Sequence, residues 1–222
     1  GEILALANVP SFDPNELSSA TAERSRNRVI TDSYEPGSTF KGILAAAAIE
    51  AGVVRPEDRF FCEKGRYSVG RWVVHDHEPY GWLTFADVIK HSSNIGAGKV
   101  GERLGAERLA AAIDAFGFGT PTHVDLPGEI PGIVRPRSKW ARINLVTTSF
   151  GQGIGVTPMQ LVRAYAAIAN GGQLMRPYVV RRIVGADGSV VRENRPEVLG
   201  RPISAETARV VTTLLRGVVE GG

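Results

Sequence analysis

One stretch decides the fold and the function predicted for this chain: Tyr34-Glu35-Pro36-Gly37-Ser38-Thr39-Phe40-Lys41. It places a serine and a lysine at the start of an apolar segment. An alanine-rich run follows and ends at Gly52, which predicts a buried helix bounded by Pro36-Gly37 and Gly52. Three positions separate Ser38 from Lys41, so on that helix the hydroxyl and the amine share one face within hydrogen-bond reach. No other serine of the chain has a lysine three residues on.

This spacing is compatible with an activated nucleophile. A serine hydroxyl attacks a carbonyl when an adjacent base takes its proton. A lysine is such a base only when its ordinary pKa of about 10.4 falls by roughly 3 units. Burial in an apolar helix lowers a lysine pKa in this way, and the free N–H groups at a helix N-terminus stabilise an oxyanion. Ser38 and Lys41 are therefore the candidate nucleophile and base; the competing interpretation is an N-cap serine followed by a solvated lysine.

A second candidate element, Ser92-Ser93-Asn94, lies between two predicted helical segments. Its hydroxyl and its side-chain amide suit the relay of a proton and the binding of a substrate carbonyl. The S-x-N spacing is uninformative by itself, because Ser25-Arg26-Asn27 has it too. A helix C-terminus followed by a turn is the competing interpretation.

Three other features have simpler explanations. His75-Asp76-His77-Glu78 looks like a metal cluster, but neighbouring residues rarely converge on one ion without distant ligands, and only His91 and His123 remain as further histidines. The run Ser149–Gly155 resembles a phosphate-binding loop, yet no lysine follows it. The lone Cys62 excludes an intrachain disulfide and predicts a small buried hydrophobic side chain. We predict neither a metal nor a cofactor.

Composition excludes several classes of protein. The 222 residues are 43% hydrophobic, and 26 basic and 23 acidic side chains give a net charge of +3. Intrinsic disorder is thereby excluded, and the scattered charges form no basic stripe for nucleic acid. The longest apolar run, residues 43–49, is too short to cross a bilayer.

Periodicity predicts a helix-dominated α/β (α+β) domain with no internal linker. The apolar run 2–9 favours a buried strand on length alone. Residues 53–82 are predicted to be irregular with short strands, and Thr84 with Asp87 predicts a capping box for a helix through Lys90. The remaining predictions are a helix over 106–116, a loop over 120–136, a helix from Thr157-Pro158 to Asn170, a hairpin around 186–188 and a last helix capped by Ser204.

Taken together, the motifs resemble those of the class B penicillin-binding proteins. Residues 35–41 resemble the S-x-x-K motif of that family, and Tyr34-Glu35 suggests class B. Gly81-Trp82-Leu83-Thr84 followed by Ser92-Ser93-Asn94-Ile95-Gly96 is similar to the second motif of cell-division transpeptidases. Further collinear similarity covers residues 1–15, 150–153, 156–161 and 166–172.

The resemblance implies a serine D,D-transpeptidase that cross-links peptidoglycan stem peptides in septal cell-wall synthesis. Ser38 would attack the D-Ala-D-Ala carbonyl and form an acyl-enzyme, and Lys41 would take its proton. Ser92 would relay a proton to the leaving nitrogen, and Asn94 would bind the substrate amide. β-Lactam antibiotics would acylate Ser38 as substrate mimics.

The resemblance also implies a cellular setting. The parent protein would be anchored in the inner or plasma membrane, with no anchor in this chain. This domain would lie on the periplasmic or extracellular side, and divisome and glycosyltransferase proteins would be its partners.

The sequence departs from the family pattern at the third motif, K-[ST]-G. No lysine of the chain precedes Ser-Gly or Thr-Gly. The family fold is a helix cluster around a five-stranded antiparallel sheet, and we expect its first strand and its K-[ST]-G strands to lie outside residues 1–222. The chain is thus expected to be a partial transpeptidase domain, cut at both ends, which in isolation is inactive, folds poorly and binds penicillin weakly or not at all.

Two other functions stay open on the sequence. A β-lactamase or D,D-carboxypeptidase would pass the acyl group to water. A non-catalytic penicillin sensor or divisome scaffold would lack K-[ST]-G in the full gene.

Overall fold

The computed structural model describes residues 1–221; Gly222, at which the sequence ends, lies outside the described residues. The helices are, in chain order, α1 (Arg28–Thr31), α2 (Lys41–Glu50), α3 (Phe85–Lys90), α4 (Asn94–Leu104), α5 (Ala106–Ala115), α6 (Arg142–Thr148), α7 (Pro158–Ala169) and α8 (Ala205–Gly221). Short 3₁₀ turns cover Leu17–Ser19, Gly37–Phe40, Glu63–Gly65 and Arg137–Lys139.

Helix α2 is the centre of the fold. The 3₁₀ turn Gly37–Phe40 runs directly into it, and every residue from Lys41 to Ala48 is buried. Helices α4, α5, α7 and α8 all pack against α2, and its small alanine side chains let them approach closely. The predicted buried helix after Pro36-Gly37 is therefore confirmed.

The strands are short and pair in twos within residues 1–221. The antiparallel pairs are β1 (Arg59–Phe61) with β4 (Trp82–Thr84), β2 (Arg66–Val69) with β3 (Trp72–His75), β5 (Leu174–Met175) with β8 (Val198–Gly200) and β6 (Arg182–Val184) with β7 (Val190–Glu193). The irregular region 53–82 and the hairpin around 186–188 are confirmed. No sheet of five strands lies in the described part of the chain.

The prediction of a buried strand over residues 2–9 is wrong. The segment forms a single bridge, from Glu2 to Tyr178, and Leu4 and Val9 are 89% and 86% exposed. A strand is buried on both faces only when other elements pack above and below it. Among the described residues, Ile3 and Leu6 of this segment pack against a small cluster that includes Ile30 and Met159, and its backbone bonds at Tyr178.

Local capping signals placed several helix ends correctly. Capping boxes of Thr84 with Asp87 and of Thr157 with Gln160 begin α3 and α7. Ser204 Oγ accepts a hydrogen bond from Thr207 N–H at the start of α8. Helix α6 was missed because it begins after Ala141, whose side chain has no oxygen to mark a helix start.

No helix within residues 1–221 combines the length and the apolar character that a membrane span requires.

Candidate active site

Ser38 and Lys41 lie together as the sequence predicts. Ser38 is exposed in the 3₁₀ turn, and Lys41, the first residue of α2, is only 2% exposed. Lys41 Nζ lies 3.1 Å from Ser38 Oγ. The contact follows from the helical spacing of three residues, and the alternative of a solvated lysine is wrong.

The environment of Lys41 makes the neutral amine accessible near neutral pH. Burial lowers the pKa of Lys41 from 10.5 to about 8, and the negative charge of Asp76 opposes that fall. At pH 7 roughly a tenth of the molecules then carry the neutral amine. A buried lysine with this pKa can take a proton from a neighbouring hydroxyl near physiological pH.

The second predicted element reaches Lys41 from the turn between α3 and α4. Lys41 Nζ lies 2.9 Å from Ser92 Oγ and 2.9 Å from Asn94 Oδ1, and it also donates to the Ser92 carbonyl. Ser92 has a φ of 55°, a left-handed conformation that non-glycine residues rarely adopt. In that conformation both the hydroxyl and the carbonyl of Ser92 face the amine. The structure thus brings Ser38, Lys41, Ser92 and Asn94 into one cluster.

Sequence reasoning missed Asp76, which it treated only as part of a metal-like motif. One carboxylate oxygen, Oδ1, accepts hydrogen bonds from the backbone N–H of Asn94 at 2.6 Å and of Ile95 at 3.0 Å. The other, Oδ2, accepts from Ser93 Oγ at 2.6 Å. Asp76 therefore caps the N-terminus of α4 from another part of the chain. No local pattern reveals such a cap, because its donors are supplied 17 to 19 residues further on.

The rest of the metal-like motif does not converge on a point. His75, His77 and Glu78 are exposed. Among the described residues, no three His, Cys, Asp or Glu side chains are grouped so that they could hold an ion.

The glycine-rich run Ser149–Gly155 supports the turn that carries Ser38. Gly37 N–H donates to the Gly151 carbonyl at 3.0 Å, and Gly153 N–H donates to the Glu35 carboxylate at 2.7 Å. Gly151 has a φ of 78°, and a Cβ there would lie 2.1 Å from the Gly37 carbonyl oxygen. The glycine is therefore needed for a close approach of two backbone segments.

A groove of about 460 Å³ opens beside this cluster. Strand β3 and α6 form its two sides, and Asn94, Trp72, Phe150 and Gln152 are among the residues that line it. The groove thus offers aromatic and amide side chains to a ligand that reaches Asn94.

Cys62 is fully buried, and burial raises the pKa of its thiol. Ser93 Oγ lies 3.4 Å from its sulfur. The prediction of a small buried hydrophobic residue is confirmed.

Comparisons of sequence and of structure with known proteins agree on one protein family. The family model described as "Penicillin binding protein transpeptidase domain" matches residues 1–222. Stage V sporulation protein D of Bacillus subtilis is 38% identical over 226 residues, which cover 100% of this chain and 35% of that protein. Peptidoglycan D,D-transpeptidase FtsI of Escherichia coli is 38% identical over 183 residues, 82% of this chain and 31% of that protein. The chain therefore spans about a third of the length of these curated relatives.

A solved structure is similar throughout. It is penicillin binding protein 3 of Mycobacterium tuberculosis complexed with aztreonam, with a TM-score of 0.86 and 34% sequence identity. The match covers 95% of this chain and 47% of that one.

Proposed function

The chain belongs to the family of penicillin-binding protein transpeptidase domains, and on that premise we propose that the protein carrying it is a class B serine peptidoglycan D,D-transpeptidase. One observation carries the proposal: Lys41 Nζ, with its pKa lowered by burial, contacts Ser38 Oγ, Ser92 Oγ and Asn94 Oδ1 at once. Such an amine can take a proton from one hydroxyl and pass it to the other.

The proposed reaction has two acyl transfers. Ser38 Oγ attacks the carbonyl carbon of the penultimate D-alanine of a stem peptide, and Lys41 takes the hydroxyl proton. An ester bond forms to Ser38 as the C–N bond to the terminal D-alanine breaks, and Ser92 passes a proton to the leaving amine. Lys41 then returns its proton to Ser92. The amine of a second stem peptide attacks the ester and loses a proton, which Lys41 passes to Ser38 Oγ as the C–O bond breaks; this releases Ser38 and completes the cross-link.

Asn94 is proposed to bind the substrate amide. Its Oδ1 accepts from Lys41, and its Nδ2 donates to the His75 carbonyl at 3.1 Å. The amide nitrogen carries a second hydrogen, which is available to a substrate carbonyl in the adjoining groove.

β-Lactams are proposed to acylate Ser38 by the same attack. The four-membered ring opens, and because the leaving nitrogen remains tethered to the acyl group, it cannot depart. The similar M. tuberculosis protein, complexed with aztreonam, supports this proposal.

The test is labelling of the full-length protein with a fluorescent penicillin. We expect a long-lived adduct on Ser38, no adduct in Ser38→Ala, and wild-type labelling in Ser138→Ala, a matched change at an exposed serine that also precedes a lysine. Labelling of Ser38→Ala at the wild-type level would contradict the assignment. Rapid loss of the adduct to water would instead favour a β-lactamase or carboxypeptidase.

The domain organisation and cellular setting belong to the same proposal. We propose that K-[ST]-G and the remaining strands of the transpeptidase domain are supplied from outside residues 1–222, which is supported by relatives about three times as long. We further propose a membrane-anchored parent with this domain facing the cell wall, a septal role, and divisome and glycosyltransferase partners. If K-[ST]-G is missing from the full gene, the non-catalytic sensor or scaffold becomes the better explanation.

A further inference from the structure

The N-terminus of α4 is capped in an unusual way. Ser93 is the N-cap residue, and its Oγ accepts from Gly96 N–H at 2.9 Å. The third helical position is Gly96, which has no side chain to complete a capping box such as those of α3 and α7. The N–H groups of Asn94 and Ile95 bond instead to Asp76, which follows strand β3.

This cap also orients Asn94. The backbone N–H of Asn94 bonds to the Asp76 carboxylate, and Nδ2 bonds to the carbonyl of His75, the neighbouring residue. With those two donors engaged by one short segment, Oδ1 is the atom that faces Lys41 Nζ. Ser92 precedes the capped residues directly, so its left-handed conformation is anchored by the same carboxylate.

From these contacts we propose that Asp76 is a positioning residue for the acyl transfer, which ties α4 to strand β3 and so holds Ser92 and Asn94 against Lys41. This inference rests on the proposed function. Asp76 touches neither the nucleophile nor the proposed substrate, and it acts through the residues it holds.

The charge of Asp76 also acts on the pKa of Lys41, which gives its role a second measurable effect. The contacts of Lys41 Nζ are neutral groups of Ser38, Ser92 and Asn94. Asp76 is the charged group that raises the pKa of Lys41 against the effect of burial.

Of the other titratable groups around this turn, the thiol of Cys62 is buried 3.4 Å from Ser93 Oγ, and burial raises its pKa and so favours its uncharged form. The remaining groups are open to solvent. His75, His77 and Glu78 on the segment of Asp76, and His91 beyond the end of α3, are all exposed, so water screens their charges. Removal of the Asp76 charge should therefore lower the pKa of Lys41 further.

The experiment compares Asp76→Asn, Asp76→Glu and Asp87→Asn in the full-length protein. The rate of acylation by a fluorescent penicillin is measured from pH 6 to pH 10. For Asp76→Asn we expect a plateau rate roughly 10- to 100-fold lower, by analogy with residues that orient metal ligands through hydrogen bonds, and a midpoint moved to lower pH. Asp76→Glu keeps the charge, so its midpoint should stay near that of the wild type while its plateau falls.

Asp87→Asn is the matched control, because Asp87 also caps a helix, α3, through a carboxylate. The Asp87→Asn protein should be less stable than the wild type, but its plateau rate of acylation and its pH midpoint should be unchanged. An Asp76→Asn profile equal to the wild type, or equal losses of plateau in Asp76→Asn and Asp87→Asn, would overturn the proposal. If Asp76→Asn fails to fold, Asp76→Glu decides: a lowered plateau supports the proposal and an unchanged one contradicts it.

The two proposals fail in different ways. If the wild-type protein is not acylated at all, the proposed function is wrong and the role of Asp76 falls with it. If the wild type is acylated and Asp76→Asn matches it, only the role of Asp76 is wrong.

Discussion

Two turns of this molecule are both rich in small polar residues, yet they are held in different ways. The turn Ser92-Ser93-Asn94 bonds to Lys41 and Asp76, which are distant in sequence. The turn of the β6–β7 hairpin bonds to itself: Ser189 donates to Asp187, and Gly185 N–H donates to the Ser189 carbonyl. The first turn lies against a buried charge, whereas both strands of the hairpin are exposed throughout.

The difference shows where polar residues carry function in this chain. A turn that satisfies its own hydrogen bonds depends little on the rest of the protein. A turn whose oxygen atoms bond to a buried amine depends on several other segments. A change in any of those segments should therefore alter the rate of the proposed acyl transfer. Substitutions that affect one turn or the other test that contrast, and the largest effect is expected at Lys41.

Lys41→Met removes the amine on which the Ser92 turn converges. We expect the acylation rate to fall by about 10³-fold, within the range that a general base contributes, because Ser38 then has no neighbouring base. The rate is measured with a fluorescent penicillin on the full-length protein. Lys64→Met, a change at an exposed lysine, is the control and should keep the wild-type rate; an active Lys41→Met variant would show that another group is the base.

Gly151→Ala adds a Cβ that would lie 2.1 Å from the Gly37 carbonyl oxygen, at a φ of 78°. Both the strain and the backbone clash destabilise the fold, by about 3 kcal/mol. Because the clash displaces the segment that carries Ser38, we also expect acylation to slow about tenfold or more, by analogy with misplaced catalytic groups. Thermal unfolding and acylation rates measure the two effects.

Gly188→Ala is the matched change in the hairpin. Gly188 has a similar φ of 82°, but a Cβ there would meet no atom within 4 Å. The expected cost is about 1 kcal/mol, from the left-handed conformation alone, with an unchanged acylation rate. Equal effects of the two glycine changes on acylation would remove the distinction between the turns.

The same contrast explains what the sequence could predict. The pairing of Ser38 with Lys41, the capping box of α3, the start of α7 at Thr157-Pro158 and the β6–β7 hairpin depend on residues a few positions apart, and all were predicted. The cap supplied by Asp76 and the left-handed Ser92 depend on contacts between distant segments, which periodicity cannot reveal. The residue types of Ser92 and Asn94 made them candidates and the resemblance to a family implied their roles, while Asp76 stood in a pattern that suggested a metal.

The exposed segment at residues 2–9 was mispredicted for a related reason. Its apolar composition indicates an affinity for other apolar surfaces, but burial depends on which segments lie beside it. Within residues 1–221 it meets a small cluster that includes Ile30 and Met159 and leaves Leu4 and Val9 uncovered.

The pH dependence of acylation tests the central claim most directly, since it reports the protonation of Lys41 in the working protein. Burial lowers the pKa of Lys41 to about 8, and only the neutral amine can take the Ser38 proton. The acylation rate of the full-length protein should therefore rise with pH in a single step with its midpoint near pH 8. A rate that is flat between pH 6 and pH 10, or that rises only near the ordinary lysine pKa, would contradict the role of Lys41 as the base.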